Sequence, residues 1–227
     1  MLFRSCTELA GDILDVFSLG ERQAGLYLLD VSGHGVPAAL LSVSVSRALS
    51  PRISGSILHD PAAVESGEHR FLPPARVAAR LNERFPMDSR TSQYFTFLYG
   101  MLDLDRREFR YAAAGHPGPL QVPRSGSARI HKGDGLPIGW FPSSSYDEEV
   151  VSLAPGDRLY FYSDGVPEAE NVEGGCFGAS RLAETLERSR DIPLEGSVDR
   201  LMQELRAWCG ERGPADDVSI IAVEVQT

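Results

Sequence analysis

Short apolar stretches separated by polar turns open the chain. Residues 13–18 (I-L-D-V-F-S) and 25–29 (G-L-Y-L-L) flank the polar segment L-G-E-R-Q-A, the pattern of a β-hairpin. The periodicity then changes. Residues 36–50 place Pro37, Leu41, Val45 and Ala48 or Leu49 on one helical face, with Pro37 suited to a first turn and Pro51 as a stop. A second helix is predicted over 74–85, with Val77, Leu81 and Phe85 as its stripe. Between the two, residues 51–72 lack periodicity and are rich in Gly, Pro and Ser. So long a loop in a compact domain predicts a functional segment, here a flap over the entrance to a site. A β-rich middle follows: a hairpin of 94–103 and 108–114 about L-D-R-R, then short strands near 118–122, 128–131, 147–153 and 157–162. Helices return at 179–189 (Leu182, Leu186) and 197–209 (Val198, Leu201, Met202, Leu205, Trp208). Residues 217–225 are apolar nearly throughout, which predicts a central strand. Helices early and late with antiparallel strands between predict an α+β fold. Its expected form is an antiparallel β-sandwich flanked by helices on both faces, α-β-β-α.

The 227 residues suffice for one domain with a sizeable core, and no linker or repeat divides them. A net charge of −10 with no run of Lys or Arg excludes a nucleic-acid-binding face. No 18-residue apolar run and no signal peptide occur, so this segment is expected to be soluble, cytoplasmic and without membrane contact. Cys6, Cys176 and Cys209 are odd in number and lack C-x-x-C spacing, which fits a reducing compartment and no nucleophilic role. The first candidate for chemistry lies close to residue 1, as in a catalytic domain cut from a longer protein.

The candidate chemistry is carried by aspartates at predicted strand ends. Asp12 opens the first strand of the hairpin and Asp30 closes the second. Asp164 closes R-L-Y-F-Y-S-D-G, and Asp216–Asp217 open the last strand. If the first turn centres between Glu21 and Arg22, Asp12 lies opposite Val31 and next to Asp30, with cross-strand Cβ atoms roughly 4.5–5.5 Å apart. Two such carboxylates repel unless a cation stands between them. Each pair could equally be a pair of solvated turn aspartates. The recurrence of the arrangement at three places weighs toward a site for hard divalent cations, which bind carboxylate and carbonyl oxygens on a rigid frame.

A series of motifs accompanies these residues in order: A-G-D-I-L-D at 10–15, D-V-S-G-H-G-V-P-A-A-L-L at 30–41, F-T-F-L-Y-G at 95–100, A-G-H-P at 114–117, G-L-P-I-G at 135–139, P-G-D-R-L at 155–159, S-D-G-V-P-E-A at 163–169, F-G at 177–178 and D-D-V-S at 216–219. Over nearly its whole length the chain resembles the PPM superfamily of metal-dependent Ser/Thr phosphatases, closest to the bacterial RsbU/SpoIIE branch. The resemblance implies two Mn²⁺ or Mg²⁺ ions held by Asp12, Asp30, the backbone carbonyl of Val31, Asp164 and Asp216. Asp30 would bridge the ions, and water shared between them would be the nucleophile. Asp217 matches a position that is often not a direct ligand, and Gly165 and His34 lie beside the ligands. The resemblance also implies a phosphorylated protein substrate, a STAS-type anti-sigma-factor antagonist in a partner-switching pathway, and a sensory or receiver domain upstream. Ala10 stands where the family usually has Gly, and the amino-terminal arginine of many eukaryotic relatives has no clear counterpart.

Other residues carry weaker signals. His34 is a general-acid candidate or a turn histidine bonded to backbone. His116 reads as a structural loop histidine. Asp15, three residues from Asp12 on a strand, faces the other side. Glu168 and Glu170 read as a solvated acidic rim, and Ser42, Ser44 and Ser46 as a small packing face. Three function classes stay open: a protein serine/threonine phosphatase, a non-catalytic binding module of the same fold, and a metal-dependent phosphomonoesterase acting on small molecules.

Overall fold

The computed structural model describes residues 2–4, 11–33, 35–53, 55–65, 70–87 and 92–226. They belong to two units. One comprises Gly11–His116 and Gly133–Ser152; the other comprises Pro117–Lys132 and Leu153–Thr227 together with Met1–Ala10.

The first unit is built on the predicted hairpins. β2 (Ile13–Gly20), β3 (Gln23–Val31), β4 (Phe95–Asp103), β5 (Glu108–Ala114) and β8 (Glu149–Ser152) form an antiparallel sheet in the order β2-β3-β4-β5-β8. The first turn is Glu21–Arg22, as the polar segment predicts. A bulge between Ser18 and Gly20 then shifts the ladder by one residue, so that Ile13 pairs with Leu29. Continued by one step, this register sets Asp12 opposite Asp30 and not opposite Val31. A bulge inserts one unpaired residue, and every pair beyond it moves.

Alternate residues of β3 and β4 point to one face: Tyr27, Leu29, Val31, Phe95, Phe97 and Tyr99 are all buried. They pack with α1 (Val36–Ala48) and α3 (Pro74–Arg84) in one hydrophobic cluster. The buried stripe of α1 is Ala38, Ser42, Val45 and Ala48: Val45 and Ala48 lie where predicted, and the first two positions fall one residue later than the predicted Pro37 and Leu41, with Pro37 exposed. Ser42 can face inward because its hydroxyl donates to the Ala39 carbonyl at 3.0 Å. Ser44 is exposed, so the three serines do not share a packing face.

The described part of 51–72 is not a free flap. It contains α2 (Pro61–Glu65) and a bridge between His59 and Phe71, and it buries Ile57, Leu58, Ala63 and Leu72. Arg80 on α3 donates to the carbonyls of Ile57 and His59 at 3.1 and 2.9 Å. Scattered apolar residues without helical or strand period were enough to anchor it. Leu81 lies fully buried in the same cluster as Leu49, Ile57 and Phe95. Leu81→Ala is therefore expected to cost about 2–5 kcal/mol in urea denaturation. A loss below about 1 kcal/mol would show that this core yields to fill the space.

The second unit holds β1 (Leu2–Arg4), β6 (Leu120–Val122), β7 (Arg129–Ile130), β9 (Arg158–Tyr162) and β10 (Val218–Glu224), antiparallel in the order β1-β10-β9-β6-β7. β10 is paired on both sides, as its continuous apolar run predicts. Leu120, Tyr160, Tyr162 and Ile220 pack with Leu182 and Leu186 of α4 (Ala179–Arg188) and Leu201 and Leu205 of α5 (Leu194–Cys209). β1 had no sequence signal of its own; three residues gain strand form only by pairing with β10.

Candidate metal centre

In the first unit the aspartates stand at the open end of the hairpin. Asp30 pairs with Thr96 and Val31 with Phe95, where β3 meets β4. Beyond them, the Ser32 N–H donates to the Tyr94 carbonyl at 2.9 Å, and the Tyr94 N–H donates to Ser32 Oγ at 3.0 Å. The end of β3 is thus fixed on both of its last residues. A Cβ built on Gly11 would stand 3.2 Å from the Val31 carbonyl oxygen and 3.4 Å from Asp30 Oδ1. Two oxygens of the expected ligand set converge beside Gly11, where an added methyl would press on the Val31 carbonyl by a few tenths of an ångström. Next to Gly11, Asp12 is 5% exposed. A buried carboxylate, a second carboxylate and a carbonyl at one strand end match what a hard divalent cation binds. The donor set fits the group.

In the second unit, a serine hydroxyl organises the strand ends. Ser163 Oγ donates to the Asp217 carbonyl at 3.1 Å and accepts from the Ser219 N–H at 3.0 Å, and the Ser163 N–H donates to the Ser219 carbonyl at 3.0 Å. Asp164 therefore leaves β9 beside the start of β10. Asp216 Oδ1 accepts the Asp217 N–H at 2.8 Å, which turns its carboxylate back on its own loop. A Cβ on Gly165 would stand 2.1 Å from the Asp217 carbonyl, so this approach requires glycine.

Burial raises the pKa of Asp164, and the negative charges of Glu168 and Asp216 raise it further; the Gly165 N–H opposes them. Without a cation, the folded form disfavours this charge. The folded pKa lies above the unfolded one, so stability falls as pH rises through the interval between them and stays lower above it. In EDTA at neutral pH, Asp164→Asn should have a higher Tm than the wild type. The difference should vanish at a pH below the ordinary carboxylate range. An equal or lower Tm in EDTA at neutral pH would refute the repulsion.

Among the described residues of either unit, no three His, Cys, Asp or Glu side chains form a metal cage by themselves. Mg²⁺ does not require one, since it keeps several waters and takes one or two carboxylates at a time. His34 lies outside the described residues, as does Ala10. Asp217 is buried. Asp15 accepts its neighbour Val16's N–H at 2.8 Å and takes no place with Gly11 and Asp30. His116 is buried at the end of β5, in keeping with a structural role. Glu168 is exposed but close enough to act on Asp164. Gly11 and Ser163 carried no role in the sequence reading. The contiguity of A-G-D and S-D-G was the signal that could have found them.

A model of the family Stage II sporulation protein E (SpoIIE) matches residues 20–226. The chain belongs to the SpoIIE family. Among curated proteins, the phosphoserine phosphatase RsbP of Bacillus subtilis is 25% identical over 224 residues, covering 99% of this chain and 51% of RsbP. This SpoIIE-family chain thus spans about half the length of that relative. Among solved structures, the SiaA-PP2C domain of Pseudomonas aeruginosa superposes with a TM-score of 0.77 at 23% identity, covering 96% of this chain and 81% of that one. The RsbU and RsbW domains of Rv1364c from Mycobacterium tuberculosis give 0.72 at 27%, covering 98% and 58%. The fold is the α+β fold of PPM (PP2C-type) phosphatase catalytic domains. No helix among the described residues is long and apolar enough to cross a membrane.

Proposed function

We propose that residues 1–227 act as one catalytic domain, a Mn²⁺- or Mg²⁺-dependent protein serine/threonine phosphatase. The observation that carries this reading is the convergence of the Asp30 carboxylate and the Val31 carbonyl over Gly11, at the motif where a SpoIIE-family chain is expected to bind metal. Asp12, Asp30, the Val31 carbonyl, Asp164 and Asp216 would hold two ions in the active form. Bound there, the ions supply Lewis acidity toward the phosphate and an activated water. The chain's own residues do the positioning. The Ser32–Tyr94 pair fixes the end of β3, Gly11 keeps the space beside Asp30 clear, and the Ser163 hydroxyl holds Asp164 at the start of β10. Asp217 and His34 stand outside the ligand set.

The substrate is a phosphoserine or phosphothreonine, on a STAS-type anti-sigma-factor antagonist in a partner-switching pathway. Likeness to a phosphoserine phosphatase and to RsbU and RsbW domains supports this class. A sensory or receiver domain of the full-length protein would regulate it in the cytoplasm. The test is hydrolysis of p-nitrophenyl phosphate with Mn²⁺, with Mg²⁺ and with EDTA, followed by a phosphoserine peptide panel. Turnover that needs the metal, stronger with Mn²⁺ because Mg²⁺ sheds water reluctantly, is expected. Turnover unchanged by EDTA, or none with either metal, would overturn the proposal.

A further inference from the structure

Three aromatic side chains stand in a row beside the end of β3 without being part of the candidate centre. Tyr94 and Trp140 stack with centroids 5.3 Å apart and planes 7° apart, and Trp140 stacks on Phe141 at 6.0 Å and 24°. Trp140 is 43% exposed and Phe141 52% exposed, and Leu136 and Met87 nearby are exposed as well. Large apolar groups in water cost free energy and need a reason.

The backbone beneath them is fixed. Asn82 of α3 is buried, and its Nδ2 donates to the carbonyls of Phe141 and Pro142 at 2.9 and 3.3 Å. Its Oδ1 accepts the Gly139 N–H at 2.8 Å. Phe95 and Ile138 exchange a pair of backbone hydrogen bonds at 3.2 and 2.9 Å, and the Met87 N–H donates to the Gly139 carbonyl at 3.0 Å. None of these bonds involves the Trp140 side chain. The loop is held by its backbone so that its rings face outward. Preorganised tryptophan and tyrosine are the usual anchors of a protein interface.

The platform is also continuous with the candidate centre, since Tyr94 is the residue doubly bonded to Ser32, two positions after Asp30. Residues 137–141, P-I-G-W-F, carry no charge in a chain of net charge −10. We propose that Tyr94, Trp140 and Phe141 form a docking platform for the polypeptide of the phosphoprotein substrate, gripping apolar residues that flank the phosphorylated serine. This rests on the phosphatase reading above and adds to it what selects a protein substrate over a small phosphate ester.

The test compares wild type, Trp140→Ala and Trp140→Phe in the metal-loaded protein. Substrates are p-nitrophenyl phosphate and phosphoserine peptides flanked by leucine or by serine. Binding of the same peptides is measured by fluorescence anisotropy. Trp140→Ala should lower kcat/KM for the leucine-flanked peptide about tenfold, through KM, and weaken its binding equally. It should leave p-nitrophenyl phosphate turnover unchanged, and Trp140→Phe should restore most of the loss. Equal losses on both substrates, or no loss on any peptide, would overturn the platform. So would conversion of a dimer to a monomer by Trp140→Ala in sedimentation, because the rings would then be a face between copies. Peptide binding that depends on Trp140 without turnover of any substrate would support the platform and overturn the phosphatase reading instead.

Discussion

Asp30→Asn should lower kcat at least ~10²-fold in Mn²⁺ while leaving the fold intact. The substitution keeps shape and volume but removes a charge from the strand end where Asp30 and the Val31 carbonyl converge over Gly11. The ladder pairing of Asp30 with Thr96 is made by backbone atoms and survives the substitution, so β3 should keep its place beside β4. Loss of a carboxylate ligand should also weaken Mn²⁺ binding in calorimetry, a readout independent of turnover. Asp164→Asn and Asp216→Asn should show the same losses of turnover and of Mn²⁺ binding. Asp15→Asn is the internal control, because Asp15 bonds to its neighbour's N–H and not toward Gly11. Near-normal Mn²⁺-dependent turnover by Asp30→Asn would end the proposed bridging role.

Much of this was legible because local pattern decided it. The alternation in 13–18 and 25–29, the 3.6-residue stripes of Val77–Leu81 and Leu182–Leu186, and the polar turns all act over a few residues. What stayed hidden depends on distant partners. Nothing in L-F-R foretells β1, which exists through pairing with Ile220, Ser219 and Val218. Nothing in S-L-G foretells the bulge that moves Asp12 from Val31 to Asp30. The segment 51–72 read as a loop because its anchors, Ile57, Leu58 and Leu72, follow no period; their burial is set by α1 and α3. The aspartates themselves were visible as strand-end residues. The atoms that orient them, the Ser163 hydroxyl and the vacant side of Gly11, were not, since a serine or glycine in a turn has many ordinary uses.

Gly165→Ala should abolish most activity, by tenfold or more, and cost about 1–3 kcal/mol of stability. The added methyl would lie 2.1 Å from the Asp217 carbonyl oxygen and 3.1 Å from its carbon. Both are backbone atoms, so neither can rotate away, and the ends of β9 and β10 must part. That carbonyl also accepts the Ser163 hydroxyl, which in turn accepts the Ser219 N–H. One methyl therefore disturbs the three contacts that set Asp164 beside the start of β10. Gly100→Ala supplies the contrast. Its Cβ would meet the Phe109 ring at 2.1 Å, an overpacked core of similar cost, but on β4 away from the strand end that carries Asp30. Urea denaturation gives the two stability losses, and Mn²⁺-dependent turnover at a temperature where both variants are folded gives the activities. Gly165→Ala should lose turnover and Gly100→Ala should keep it. Similar activity in both variants would mean that the placement of Asp164 against β10 is a feature of the fold and not of the chemistry.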